Sequence, residues 1–172
     1  MTVGIWVLLA ALVAAAVIGA GLRARAGTVR EVAAGPAGTG RDTATATGSP
    51  TPAEAADETV ALLRAAGVRP GRVTIVRFTA PWCGRCPAVA RAADTARTRL
   101  ADPESVDDLA LDLAGHDDLV RLLSVRALPT TFLVDARTAV RHRIADAPAP
   151  RELAATLTAL LDENAPGTRT AP

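Results

Sequence analysis

The chain has 172 residues, a formal net charge of +1, 49% hydrophobic residues and a mean hydropathy of +0.23. That length fits one ordinary domain plus extra segments rather than two full domains, and the near-zero charge removes any bulk electrostatic case for a nucleic-acid partner. The two cysteines lie too close together to staple a scaffold, because closing so short a loop removes little unfolded-state entropy.

Every cationic side chain apart from the histidines is arginine, which together with the abundant alanine reflects GC-rich coding. Aromatic residues make up only 2%, so the core must be built mainly from Leu, Val, Ile and Ala.

Val3 to Leu22 carries no charge and is long enough to cross a bilayer core at about 1.5 Å per residue. Trp6 lies near one end, where an interfacial aromatic belt would place it. A cleavable signal peptide normally begins with a basic residue, and Met1-Thr2 has none, although Ala24-Arg25-Ala26 has the A-x-A form. Residues 1–22 are therefore expected to be a retained single-pass anchor. Arg23, Arg25 and Arg30 follow the span and nothing charged precedes it. The positive-inside tendency then places the rest of the chain in the cytoplasm, with the extracytoplasmic side as the alternative.

Residues 23–50 are rich in Gly, Ala, Thr and Pro and read as a flexible tether, with Thr28 to Val32 as a candidate edge strand. A domain is expected over 51–163. Thr51-Pro52-Ala53-Glu54 predicts a capped helix start, and Gly67 a stop. Val73 to Phe78 is a β-branched strand run, and Ala88 to Leu100 a helix. Val106 to Leu113 gives a weaker strand and Asp117 to Ser124 a short helix. Leu128 to Val134 and Ala139 to Ile144 predict a strand pair, and Pro150 opens a closing helix with Leu153, Leu157, Leu160 and Leu161 on one face. Residues 164–172 are expected to be a frayed tail. The order predicts an α/β layer with a mixed sheet.

The chemistry concentrates in Phe78-Thr79-Ala80-Pro81-Trp82-Cys83-Gly84-Arg85-Cys86, which holds both cysteines. Strand before and helix after would put Cys83 at a helix start, where free N–H groups and the helix dipole favour a thiolate, the reactive form of cysteine. His116 and His142 do not combine with the cysteines in any finger-like spacing. The acidic cluster Asp107, Asp108, Asp112, Asp117 and Asp118 reads mainly as solvated loop and cap positions. No phosphate-cradling glycine loop and no nucleophile elbow occurs.

Val73 to Cys86, together with Leu128-Pro129-Thr130 downstream and this element order, resembles the thioredoxin superfamily over about Thr51 to Glu163. The resemblance implies a thioredoxin-like fold in an anchored protein of a GC-rich, actinobacterial-type bacterium. It implies thiol–disulfide exchange with protein disulfide or dithiol substrates, and neither metal nor cofactor. Cys83 would be the attacking thiolate and Cys86 the buried resolving thiol, joined as the redox-active disulfide Cys83–Cys86. Pro129 would be the family's cis-proline, followed by Thr130, and Trp82 the tryptophan beside the nucleophile.

The departures are specific. Arg85 stands between the cysteines where thioredoxins usually have proline. A cation there either favours thiolate and a more oxidising disulfide or points into water. Arg77, six positions before Cys83, replaces a buried acid and cannot act as a base. Buried, it needs a partner, and Asp112 on the neighbouring strand is the expected one. Pro87 and Ala145 are further departures. Arg77 and the altered groove motivate an alternative, a redox-responsive binding module on the same scaffold.

Overall fold

The structure, a computed structural model, describes residues 29–31 and 51–165. In chain order these form β1 (Val29–Glu31), α1 (Pro52–Ala65), β2 (Val73–Thr79), α2 (Cys86–Arg97), β3 (Val106–Asp112), α3 (Asp117–Leu122), β4 (Thr130–Val134), β5 (Val140–Ala145) and α4 (Pro150–Asn164). The expected membrane span at residues 3–22 lies outside the described residues. Among the described residues, no helix is long and apolar enough to cross a membrane.

Local chemistry accounts for the element boundaries. The Thr51 hydroxyl accepts from the Glu54 N–H, and the Glu54 carboxylate accepts from the Thr51 N–H at 2.7 Å, closing the expected capping box. Gly67 follows α1 at φ +109°, a left-handed turn that a side chain resists. Other boundaries differ from expectation by a few residues. The second helix starts earlier, at Cys86, and ends at Arg97; β4 starts at Thr130, after the proline. Asn164, expected in the tail, belongs to α4, and its side-chain amide donates to the Leu160 carbonyl.

The sheet order is β1-β5-β4-β2-β3, with β2 and β3 parallel and the other neighbours antiparallel. β1 falls inside the stretch read as tether and pairs with the outer edge of β5, Val29 opposite Ile144. The central strands β2 and β4 are covered on both sides, which is why they read as near-continuous apolar runs. Val73 and Ile75 face a core with Leu133, Ile144, Ala93 and Ala96 of α2 and Leu153 and Leu157 of α4. Val76, Phe78, Phe132 and Val134 face the other core, with Leu63 of α1 and Leu119 of α3. The period of two in β2 thus sends alternate residues into two different cores.

β3 carries three members of the acidic cluster, Asp107, Asp108 and Asp112, and the solvated reading fails at the first two. On the α1 side Asp107 accepts from Arg69 (3.0 and 2.7 Å) and from Arg72 (2.9 Å). Burial pushes the Asp107 carboxyl up, but hydrogen bonds and charge from both arginines outweigh it and hold the group below the ordinary range. A depressed folded value means stabilisation that is complete above the unfolded value of about 3.9 and is lost as pH falls through the folded one. Asp107→Asn is therefore expected to cost about 1 kcal/mol at pH 7, an amount limited by solvent screening of the arginines. It should cost less at strongly acid pH, shrinking as pH falls through the folded value. Urea melts at neutral and strongly acid pH check this, and equal costs would contradict it.

Candidate active site

β2 ends at Thr79, and Ala80-Pro81-Trp82 carries the chain over the edge of the sheet to the cysteines. The Cys83 N–H donates to the Ala80 carbonyl at 3.0 Å, and the Cys86 N–H to the Cys83 carbonyl at 3.2 Å. Cys83 and Cys86 are joined as a disulfide, each 8% exposed. Cys86, not Cys83, is the residue that opens α2; Cys83 sits in the turn just before it. The motif still lies at the positive end of a 12-residue helix with no acidic residue in its first turn. Pro87 fits there because the first turn has no need of its missing N–H. The Cys86 sulfur lies 3.9 Å from the Phe78 carbonyl oxygen.

Sheet register brings the second part of the site alongside. Phe78 pairs with Thr130, so Pro129 is placed next to Thr79, where β2 hands over to the motif. The Leu128–Pro129 peptide bond is cis. The Thr130 hydroxyl donates to the Ala127 carbonyl at 2.7 Å and closes the loop around it. On the other flank Trp82 is 75% exposed and borders a groove of about 290 Å³. Val120, Val125 and Leu128 line the groove, with Asp117 and Arg126 as its charged members.

Both arginines have carboxylate partners. Arg77 makes a bidentate pair with Asp108, at 2.7 and 3.1 Å, both side chains nearly buried. The expectation of Asp112 is corrected by the side-chain contacts. Arg77 lies opposite Ala110, so Asp108 and Asp112 are both diagonal neighbours on its face, but the Asp112 carboxylate caps the Ala114 N–H and Asp108 takes the guanidinium. Arg85 pairs with Asp146, directly after β5, at 2.5 Å. Its side chain is mostly in water, yet it does not stand as a lone cation beside the cysteines.

A sequence profile of the Thioredoxin family matches residues 65–159, more than half of the chain. The chain belongs to the thioredoxin family. No curated protein matches it. Among solved structures it is similar to thioredoxin-2 of a malaria parasite, a component of the parasite's protein secretion machinery. That match has 24% identity over 51% of this chain and 82% of that one, with a TM-score of 0.44. Chloroplastic thioredoxin z matches at 21% identity over 61% of this chain and 89% of that one, with a TM-score of 0.47. The thioredoxin of Fasciola hepatica matches at 23% over 61% and 93%, with a TM-score of 0.45. Family membership stands on the sequence profile rather than on these superpositions.

Against the thioredoxin pattern quoted above, the sheet and the motif turn bring Cys83, Cys86, Trp82, Pro129 and Thr130 to one end of β2. Arg77 lies further back along β2, under the helical layer. Three residues of this neighbourhood escaped the sequence. Asp108 and Asp146 are the two carboxylate partners. Arg143 of β5 donates to the Leu123 and Ser124 carbonyls at 3.0 and 2.9 Å and lies 5.4 Å from the Phe132 ring centroid, tying down the start of the segment that leads to Pro129. No local signal marks any of them, since each acts on a residue distant in sequence.

Proposed function

We propose that this thioredoxin-family protein is a membrane-anchored thiol–disulfide oxidoreductase acting on protein disulfides or dithiols through Cys83 and Cys86. The observation that carries the reading is the Cys83–Cys86 disulfide at the N-terminus of α2, with the cis Leu128–Pro129 bond alongside. In the reduced protein the Cys83 thiolate attacks one sulfur of a substrate disulfide. A Cys83–substrate bond forms and the other substrate sulfur leaves as thiolate. Cys86 then gives up its proton and attacks the Cys83 sulfur, which restores Cys83–Cys86 and releases the second substrate thiolate. Two electrons have passed from the protein dithiol to the substrate. With its guanidinium held by Asp108, Arg77 cannot take the Cys86 proton. That proton passes to water or to the departing substrate sulfur. The reverse sequence oxidises a substrate dithiol, and in either direction a second redox partner must reset the pair.

Insulin turbidity with dithiothreitol is the test: acceleration by the protein is expected. No acceleration would favour the alternative of a binding module on the same scaffold, which Arg77 and the altered groove motivate. Residues 3–22 supply the anchor, in keeping with the GC-rich, actinobacterial-type composition, and Arg23, Arg25 and Arg30 favour a cytoplasmic redox domain. The full chain should sediment with membranes and resist carbonate extraction, and a cytoplasm-dependent reporter fused after residue 172 should be active. Recovery of the chain in the soluble fraction would remove the anchor, and activity only of an exported reporter would reverse the topology.

A further inference from the structure

Asp146 joins three parts of the site. Its N–H donates to the Pro129 carbonyl at 3.2 Å, one carboxylate oxygen accepts from the Ala147 N–H at 2.8 Å, and the other meets Arg85 at 2.5 Å. Its backbone sits at φ +74°, a left-handed conformation that Asp tolerates better than most residues. Asp146 is largely shielded, its side chain 22% exposed, whereas Arg85 is 70% exposed. The carboxylate is thus fixed in place before Arg85 reaches it, and only the arginine loses freedom when the pair forms.

A lone arginine between two cysteines would attract a thiolate. An arginine in contact with a carboxylate presents a dipole instead, and a dipole's field falls off faster with distance than a single charge's. We infer that Asp146 is a positioning residue for the cysteine pair: it holds the Arg85 guanidinium against its own carboxylate and cancels most of the arginine's pull on the Cys83 sulfur. The inference rests on the reading of Cys83 as the attacking thiolate. Arg85 and Asp146 then form one neutral unit, and losing either member unbalances the site in the direction of the charge that remains. Other charged groups at this end of the sheet include Asp112, opposite Thr79, and Arg126 and Asp117 in the groove beside Trp82, with the Arg77–Asp108 pair further back on β2 and β3. None of them is altered in the test.

The test compares the parent chain with Asp146→Asn, Arg85→Gln and the double variant. Asparagine suits the left-handed backbone, and Arg85 is exposed, so the fold is expected to survive both changes. The Cys83 thiolate fraction of the reduced proteins is followed by ultraviolet absorbance against pH. Asp146→Asn should raise that fraction at pH 7 by roughly threefold, and Arg85→Gln should lower it by a similar factor, as expected for one partly screened charge. The double variant should return to within about twofold of the parent. Salt at about 1 M should shrink the single-variant differences, which a packing role for Asp146 would not do. Single variants that leave the thiolate fraction unchanged, or shift it the same way, would overturn the inference. The titration needs no turnover, so an inactive parent in the insulin assay would count against the proposed exchange and leave the charge-balance result standing.

Discussion

Cys83→Ser is expected to bring insulin reduction down to the rate of dithiothreitol alone, while Cys86→Ser accumulates mixed disulfides with partner proteins. The asymmetry follows from the order of bond making. Without Cys83 no sulfur in the motif turn is left to attack, and the remaining Cys86 lies in the first turn of α2, 8% exposed in the oxidised pair, with its sulfur turned toward the Phe78 carbonyl. Without Cys86 the first attack proceeds, but the covalent intermediate has no internal thiol to resolve it. Non-reducing gels of cells carrying Cys86→Ser should display high-mass adducts that collapse on reduction and are absent from the double Cys variant. If Cys83 in that variant remains reactive toward a small alkylating agent yet captures nothing, exchange with protein substrates is not its role. The same experiment identifies partners, because what is trapped is the substrate itself.

The sequence was most informative where neighbours along the chain do the work. The capping box at Thr51 and Glu54, the proline starts of α1 and α4 and the β-branched run of β2 are all local chemistry, and each element lies where that chemistry put it. The motif and Pro129 could be linked through a family resemblance, which supplied the long-range pairing that periodicity cannot give. Partner choice for the two arginines had no such help. Asp108 and Asp112 sit four residues apart on one strand and flank Ala110, the residue opposite Arg77, and only the capping of the Ala114 N–H by Asp112 separates them. Asp146 lies 61 residues from Arg85 and faces it because β5 returns beside Thr130. β1 was legible as a candidate edge strand, but its choice of β5 as a neighbour was not, since three residues carry too little pattern to specify a partner.

Asp108→Ala is expected to destabilise the protein by about 3 to 5 kcal/mol, the cost of leaving a nearly buried guanidinium without its counter-charge. The side chains of Arg77 and Asp108 are 13% and 11% exposed, so water can replace little of the lost interaction. Arg77 follows Val73 and Ile75 on the face of β2 that packs toward α2 and α4, where the neighbouring core is aliphatic. That setting also makes the intact pair a poor source of net stability, because desolvating both ions offsets most of their attraction. Arg77→Met combined with Asp108→Leu should therefore recover most of the loss, whereas Asp112→Asn should cost no more than about 1 kcal/mol, as expected for a weakened cap. Urea melts of the oxidised proteins separate these outcomes. With a urea dependence of about 1 to 3 kcal/mol per molar, Asp108→Ala should lower the midpoint by more than 1 M. A shift no larger than that of Asp112→Asn would mean that Arg77 finds solvent or another acceptor when Asp108 is gone. The double replacement also bears on the chemistry. If it keeps full stability and unchanged exchange, Arg77 is present for packing and charge balance alone. If exchange slows while stability holds, the buried pair contributes to the second step, in which Cys86 must lose its proton.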